Sequence, residues 1–516
     1  MYLRYKQKLM IGITLLVVAC LLISSIYVYS EFFNKEEKTV EEEPEDAVVD
    51  DRISPLADQV VSLEINRIRK KGMEEKVRKI GNSWKNKPSF HYAAYLNDIE
   101  WSSGNINAWD TGYVNWEIFR LIENETEECN IEIKIVETKK KLFSSSDEVI
   151  ESLQIVYDFK TGHWTGDDFL YDTDGYGHFN GENYEIWFDI HQTDYDGDKI
   201  PYWTEVNVLH TDPMVDDSFL DPDMDGIPSV WEWKWGYDPF VYDNHSTIDP
   251  ELDGLSNIVE YQLEKWLANP YQKEIYLEVD FMEKGPGLFV SEHVLYEETK
   301  QILMDKFNEH GITMHFDDGC MGGGGEYFPF YERITQDEGI VSDFYKNHFD
   351  DDRKGVFHYV FIQNRGGWCH PQDSKLRYDC MAVPTNLKWR AKTFSPPAIT
   401  PRLLRLTTAI AIMHELGHSL GLMPTDTAGN DNASHVGRNN LPPFQKMQET
   451  KRSAEYWSDY VSCMNYAKFS KYILDYSDGS NGERDFDDWS DIDLTYFQKP
   501  SPDSTEGIQA MPLCII

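Results

Sequence analysis

The 516-residue sequence predicts a multidomain protein in which an N-terminal transmembrane helix precedes a β-sandwich-like domain, a set of acidic loop repeats and an α/β (α+β) domain. Three observations predict this order: an uncharged apolar run, a stretch of alternating apolar and polar segments, and three acidic loops followed by strand and helix patterns. The predicted domains are 1–30 for the cytoplasmic tip and anchor, 31–90 for an acidic spacer and amphipathic helix, 91–190 for the β-rich domain, 191–268 for the loop repeats and 269–516 for the α/β domain.

Composition restricts the partners and the redox chemistry. The formal net charge of −42 argues against a nucleic-acid partner, because no basic stripe in this chain could offset it. One of the seven cysteines, Cys20, lies in the apolar run, and the remaining six permit disulfides. Cys369 and Cys380 are the closest pair along the chain and are the preferred disulfide, whereas the other pairings stay open.

The N-terminal run 9–29 carries no charge and is long enough to cross a bilayer as a helix. Arg4, Lys6 and Lys8 precede it, so the positive-inside rule places the N-terminus in the cytoplasm and the bulk of the chain outside. The pattern therefore predicts a single-pass protein of the cell membrane. A cleaved signal peptide is the competing interpretation, and 17–20 loosely resembles a lipoprotein cleavage box.

The next two regions differ in periodicity. Residues 31–55 are acidic, and this composition predicts a flexible spacer. Apolar residues across 57–80 recur at intervals that predict a charged amphipathic helix. Further along, 113–121, 131–136 and 153–157 alternate apolar and polar residues, which is typical of antiparallel strands.

Three loops repeat one carboxylate spacing. Acids stand at positions 1, 3, 5 and 12 of each loop: Asp194, Asp196, Asp198 and Glu205; Asp221, Asp223, Asp225 and Glu232; Asp249, Glu251, Asp253 and Glu260. Calcium takes six to eight oxygen ligands, and this spacing wraps carboxylates around such an ion. The first loop has Lys199 at the sixth position, where glycine is usual. The array resembles the calcium-binding repeats of thrombospondin type 3, and the prediction is that bound calcium stabilises this region.

A buried helix predicted over 403–420 carries His414, Glu415 and His418 in the pattern H-E-x-x-H. Histidines four residues apart share one face of a helix, so both rings can bind one zinc ion and leave a position for a water molecule. The carboxylate between them is suited to deprotonate that water. The pattern predicts a zinc peptidase.

The sequence around this helix predicts an α/β domain. Strands are predicted at 274–281, 312–316 and 356–362, with a helix across 291–310. The region 356–370 is the best candidate for an edge strand that aligns a substrate by main-chain pairing.

The pentapeptide Ser-Cys-Met-Asn-Tyr at 462–466 makes the resemblance more specific. Together with the zinc helix it resembles the metzincin-type zinc endopeptidases. That resemblance implies that Met464 forms a turn beneath the metal and that Tyr466 supports the oxyanion. The domain order resembles that of archaeal surface proteins.

The third zinc ligand departs from the metzincin pattern. The family expects a histidine six residues after the second one, and Pro424 stands there. Asp426, Asp431 and His435 are the candidates, and Asp431 is preferred because Gly429 permits a turn back toward the metal. A more distant glutamate remains an alternative.

The sequence thus predicts a membrane-anchored extracellular zinc endopeptidase that acts on protein or peptide substrates, with zinc and calcium as cofactors. Glu415 would be the general base and Tyr466 the oxyanion group. An alternative from another class is a calcium-rigidified surface or adhesion protein with an inactive peptidase-like domain. Pro424 is the observation that favours it.

Overall fold

The computed structural model describes residues 59–500 apart from 80–82, 124, 141–143, 174, 287–291, 336–338, 370–376, 386–400, 428, 432–441, 467 and 469–470. The strands are β1 Gln59–Lys70, β2 Ser89–Leu96, β3 Ile99–Ser102, β4 Ile106–Asn107, β5 Trp116–Ile122, β6 Glu128–Lys140, β7 Ser145–Asp158, β8 Trp164–Gly166, β9 Asp172–Thr173, β10 Gly177–Asn180, β11 Tyr184–Gln192, β12 Glu274–Met282, β13 Thr313–Asp317, β14 Tyr327–Phe328, β15 Phe357–Gln363, β16 Trp368–Cys369 and β17 Cys380–Pro384. The α-helices are α1 Met73–Arg78, α2 Tyr202–Thr204, α3 Ser229–Lys234, α4 Asn257–Leu263, α5 Glu297–Asn308, α6 Gly339–Asn347, α7 Pro401–Ser419, α8 Pro443–Tyr456 and α9 Asp488–Asp491.

Two antiparallel sheets form a sandwich around one core. The first sheet has the order β10-β11-β1-β5, and the second has the order β3-β2-β6-β7-β8-β9, with β4 paired to β2. Val61 and Phe188 of the first sheet share a buried cluster with Ile133 and Ile155 of the second. The inner faces of both sheets are therefore packed against each other, as alternating side chains require.

The amphipathic helix predicted over 57–80 is wrong for most of its length, because β1 occupies Gln59–Lys70 and lies between β11 and β5. Val61, Leu63 and Ile65 alternate as a strand requires and are fully buried. A shift of register between Ile65 and Arg67 then turns Ile68 into the same core. This irregularity places apolar residues three apart, which mimics helical spacing.

A third, mostly parallel sheet has the order β13-β12-β15-β17-β16, with β14 paired to β12. β16 is antiparallel to β17 and ends the sheet. The side chains of β12, β15 and β17 are buried along their whole length, as in a sheet covered on both faces. Residues of α5 and α7 belong to the same core as this sheet.

The predicted fold class and the predicted single-pass membrane location are corrected by the structure. Most of the regular structure is β-sheet, and no helix in the described part of the chain is long and apolar enough to cross a membrane. The longest of these helices, α7 Pro401–Ser419, carries Arg402, Arg405 and Glu415 and packs within the protein core. The run 9–29 lies outside the described residues, as does the spacer 31–55.

The predicted disulfide between Cys369 and Cys380 is also wrong, because both residues are buried thiols. Cys369 lies opposite Met381 in the β16–β17 pair. Successive side chains of a strand point to opposite faces, so Cys380 faces away from Cys369.

Candidate metal centres

Helix α7 ends immediately after its second histidine. The Leu422 amide donates to the Gly417 carbonyl at 2.8 Å, and the Gly421 amide donates to the His418 carbonyl at 3.2 Å. Gly421 has φ of +92°, so the chain reverses in the left-handed conformation that glycine tolerates best. This C-terminal motif turns the following residues back across the histidine face.

Asp431 completes a buried group with the two histidines, and one ligand atom from each residue lies within 4.8 Å of the others. His414 Nε2 is 3.2 Å from Asp431 Oδ1, and His418 Nε2 is 3.4 Å from Asp431 Oδ2. The Asp431 amide donates to the Met464 carbonyl at 3.1 Å, which fixes this loop over the helix. These three residues could hold a metal ion.

The other ring nitrogen of each histidine bonds to a backbone carbonyl. His414 Nδ1 donates to the Cys463 carbonyl at 2.9 Å, and His418 Nδ1 donates to the Leu422 carbonyl at 2.8 Å. A carbonyl only accepts, so the proton of each neutral ring lies on Nδ1 and the Nε2 lone pair faces Asp431. Metal-binding histidines are commonly held this way.

The charges within the group support each other. Burial lowers the pKa of His418, but the Asp431 carboxylate outweighs burial and the net pKa is raised. Burial likewise opposes ionisation of Asp431, whereas His418 and His414 hold the pKa of Asp431 below its ordinary value. A metal cation between Asp431 and the two Nε2 atoms would itself supply positive charge to this carboxylate, and both rings would then bind it as neutral imidazoles.

Glu415 is fully buried, and neither carboxylate oxygen bonds to any residue that the structure describes. Burial, followed by the charge of Asp431, raises the pKa of the Glu415 carboxyl well above its ordinary value. Gly367, just before the edge strand β16, approaches this carboxylate so closely that a Cβ there would lie 2.4 Å from Glu415 Oε1. An unsatisfied buried carboxylate of this kind needs a ligand or water as its partner.

Residues 462–466, for which the resemblance implies a methionine turn, lie beside this group. Met464 is fully buried, and its amide donates to Ser462 Oγ at 3.1 Å. The ring of Tyr466 is buried 5.3 Å from the ring of His414. The structure thus brings Met464 and Tyr466 next to the histidines.

The remaining sequence candidates are placed elsewhere. Asp426 is exposed, and His435 lies outside the described residues. The sequence did not single out Gly367 or the carbonyl of Cys463. The adjacent Gly366-Gly367 pair before β16 was a usable signal, because consecutive glycines often mark a close backbone approach.

The three acidic loops share one backbone conformation. Residues 4 and 6 of each loop have positive φ: Gly197 and Lys199, Met224 and Gly226, Leu252 and Gly254. The amide at position 6 donates to the carboxylate at position 1, at 2.6 Å for Lys199–Asp194, 3.0 Å for Gly226–Asp221 and 3.0 Å for Gly254–Asp249. The amide at position 7 donates to the carboxylate at position 5, at 2.8 Å for Ile200–Asp198, 3.1 Å for Ile227–Asp225 and 2.8 Å for Leu255–Asp253. Lys199 therefore takes the turn that glycine takes in the other loops.

Several loop carboxylates have a buried oxygen without a hydrogen-bond partner among the described residues: one oxygen each of Asp196, Asp198, Asp223 and Glu232, and both oxygens of Glu251 and Glu260. Burial and then the neighbouring Asp198 raise the pKa of Glu205 to about 8, and burial and then Asp225 raise that of Glu232 to about 9. These acids repel one another unless protons or a cation neutralise them. The donor set of oxygens in twelve-residue loops suits a hard divalent cation.

The second loop has an additional partner that the sequence did not reveal. His245 is fully buried, and its Nε2 lies 3.1 Å from Asp225 Oδ2 and 3.4 Å from Glu232 Oε1. The Asn257 amide nitrogen is 2.8 Å from His245 Nδ1 and donates to it, which leaves Nε2–H to donate to the carboxylates. His245 therefore connects the second loop to Asn257, the first residue of α4, which belongs to the third loop.

Comparison with known proteins gives no family assignment, since no family model and no curated protein matches the chain. Human GIVD cytosolic phospholipase A2 is 11% identical with a TM-score of 0.18, over 27% of this chain and 17% of that chain. Drosophila C2-DSL-EGF1 is 8% identical with a TM-score of 0.16, over 27% of this chain and 69% of that chain. The chain spans less than a fifth of the phospholipase, and likenesses at these scores carry no argument about function.

Proposed function

We propose that the protein is a zinc-dependent endopeptidase whose acidic loops bind calcium. The observation that carries this proposal is the group of His414, His418 and Asp431 beside the carboxylate of Glu415, which has no hydrogen-bond partner in the part of the chain that the structure describes. Two imidazoles and one carboxylate are a donor set that zinc accepts, and a catalytic zinc site needs one further open position.

The residues fit zinc for a reason that is independent of the sequence motif. Both Nδ1–H groups are engaged by carbonyls, so both Nε2 atoms are available as neutral donors directed at Asp431. Zinc held there would polarise the scissile carbonyl and lower the pKa of a bound water. The methionine turn and the C-terminal motif of α7 would hold the donors in place.

The chain's own residues supply the proton transfers. Glu415, with a raised pKa and no partner among the described residues, would take the proton of the attacking water and deliver it to the leaving amine. Tyr466, whose ring lies beside His414, would stabilise the negative charge that develops on the carbonyl oxygen.

Substrate would be aligned by the edge strand β16. This strand ends the sheet, and the preceding residue, Gly367, lies against Glu415. A peptide that pairs with the backbone of an edge strand places its scissile bond by main-chain hydrogen bonds, which favours protein or peptide substrates of varied sequence.

The loops would bind calcium because their carboxylates are partly or fully buried, mutually repulsive and arranged as oxygen donors. The alternative of an inactive, calcium-rigidified surface or adhesion protein drew its support from Pro424. Asp431 weakens that support, since it stands next to both histidines where the third ligand is needed.

Casein hydrolysis by the purified full chain tests the proposal. Hydrolysis should stop when zinc is removed by a chelator and return when zinc is added, with calcium kept saturating throughout. Hydrolysis that is unaffected by zinc removal would contradict the proposed function. Folded, zinc-loaded protein that hydrolyses no casein would also contradict it.

A further inference from the structure

The third acidic loop differs from the first two in where its residues pack. Leu255, at its seventh position, is buried in the core that contains the parallel sheet and α7. The corresponding Ile227 of the second loop belongs instead to a small separate cluster with Trp231 and Trp235. Part of the third loop is therefore built into the domain that carries His414 and His418.

The same loop bonds directly to the first strand of that domain. Asp253 Oδ1 accepts from Leu255 inside the loop, and Asp253 Oδ2 accepts from the Glu274 amide at 2.7 Å. Glu274 is the first residue of β12. Gln498 adds a second connection, because its Nε2 donates to the Gly254 carbonyl at 2.6 Å and to the Gly355 carbonyl at 3.0 Å.

β12 is connected through β15 to α7, the helix that carries His414 and His418. Leu277 of β12 pairs with His358 of β15. His358 Nδ1 lies 2.8 Å from the hydroxyl of Ser419, the last residue of α7. Displacement of β12 would therefore disturb a strand that is bonded to the end of the helix with both histidines.

The loop also has the strongest need for a cation. Glu260 is 1% exposed, and neither of its carboxylate oxygens has a partner among the described residues. Burial, followed by the charges of Glu274, Asp253, Glu251 and Asp249, raises the pKa of Glu260 well above its ordinary value. The charges of four neighbouring carboxylates thus act on one buried glutamate, and the Glu274 carboxylate belongs to β12, outside the loop.

We propose that the third loop is a calcium site internal to the peptidase domain, and that calcium there, rather than in the first loop, holds β12 and the zinc helix in place. The proposal rests on the proposed function only where it concerns hydrolysis. It predicts a peptidase that is controlled by calcium at one particular loop.

Glu251→Gln gives a selective test, because both Glu251 oxygens lack partners in the described structure and the substitution removes the charge of a cation ligand without breaking a hydrogen bond found there. Asp196→Asn is the matched change at position 3 of the first loop. That loop is the better control, since the second loop is joined to the third through His245 and Asn257. The first loop is bonded to the sandwich by the Thr204 hydroxyl, which donates to the Lys160 carbonyl at 3.1 Å.

The experiment measures hydrogen exchange of the full chain during a calcium titration, after dialysis into metal-free buffer with stoichiometric zinc added back. The midpoint is the calcium concentration at which β12 and α7 are half-protected from exchange. In Glu251→Gln this midpoint should be higher by about tenfold or more, because affinity follows the number of charged ligands. Asp196→Asn should leave that midpoint unchanged, and saturating calcium should restore wild-type exchange in Glu251→Gln.

Equal midpoints for the two variants, or a change of exchange confined to 249–263, would overturn the proposal. Hydrolysis measured on the same samples distinguishes failure of the calcium proposal from failure of the proposed peptidase function. The expected exchange pattern without any hydrolysis in the wild type would leave the calcium proposal standing and remove the proposed peptidase function.

Discussion

Met464 lies where a side chain at Gly417 would have to be. A Cβ built on Gly417 would be 2.6 Å from Met464 Sδ and 3.1 Å from a ring carbon of Tyr476. Glycine inside a helix costs roughly 1 kcal/mol relative to alanine, and at this position it allows the turn at 462–465 to approach the helix between the two histidines.

Gly417→Ala should therefore destabilise the protein despite the better helix propensity of alanine. Overpacking of this kind costs about 1–3 kcal/mol of folding stability. Displacement of the turn should also weaken zinc binding, because the Met464 carbonyl accepts a hydrogen bond from the Asp431 amide. Thermal unfolding and zinc titration measure both effects. Gly104→Ala is the control, because a Cβ at Gly104 meets nothing within 4 Å. An unchanged melting temperature in Gly417→Ala would contradict the packing argument.

Asp431→Ala should remove the carboxylate of the metal group. Even residues that only orient metal ligands contribute 10–100-fold to affinity, so zinc affinity should fall by more than about 100-fold. Competition with a fluorescent zinc chelator gives the affinity. Asp426→Ala is the matched control, because Asp426 is exposed and outside the group. Loss of zinc in Asp426→Ala but not in Asp431→Ala would reverse the assignment.

Gly367→Ala should impair hydrolysis without releasing zinc. The added methyl group would lie 2.4 Å from Glu415 Oε1 and 3.2 Å from Pro384 Cδ, so the carboxylate must move. A misplaced general base forfeits much of a contribution of roughly 10²–10⁴-fold. Casein hydrolysis at equal zinc occupancy is the measurement, and wild-type rates in this variant would show that Glu415 tolerates displacement.

The calcium-free protein should lose stability as the pH rises. The raised pKa values of Glu205, about 8, and Glu232, about 9, mean that the folded state holds more protons than the unfolded chain across roughly pH 5 to 9. The free energy of unfolding therefore falls as the pH increases through that window. Calcium replaces those protons, so the melting temperature in saturating calcium should decline much less. Identical pH profiles with and without calcium would contradict the assignment of the loops.

Local patterns predicted the helix α7, the strands β12, β13 and β15, and the acidic loops, because each is specified by residues close together in the sequence. β1 was missed for a physical reason. Its register shift between Ile65 and Arg67 is imposed by pairing with β11, a strand more than a hundred residues away, and no local window contains that partner.

The candidate site was predictable to a similar extent. His414, Glu415 and His418 are fixed by helical spacing, and Gly429 suggested a turn that returns Asp431 to them. The contacts of Gly367 with Glu415 and of His245 with Asp225 join segments that are distant in sequence, so only the folded chain brings them together. The same applies to Cys369 and Cys380, which are near in sequence but face apart across the β16–β17 pair.

Glu415→Gln is the most direct test of the central claim. The substitution preserves the shape of the side chain and removes the base, while His414, His418 and Asp431 remain to hold the metal. Bound zinc, measured by elemental analysis, should stay near one per chain, and casein hydrolysis should fall by roughly 10²–10⁴-fold. Hydrolysis at the wild-type rate by zinc-loaded Glu415→Gln would contradict the claim that this carboxylate moves the proton.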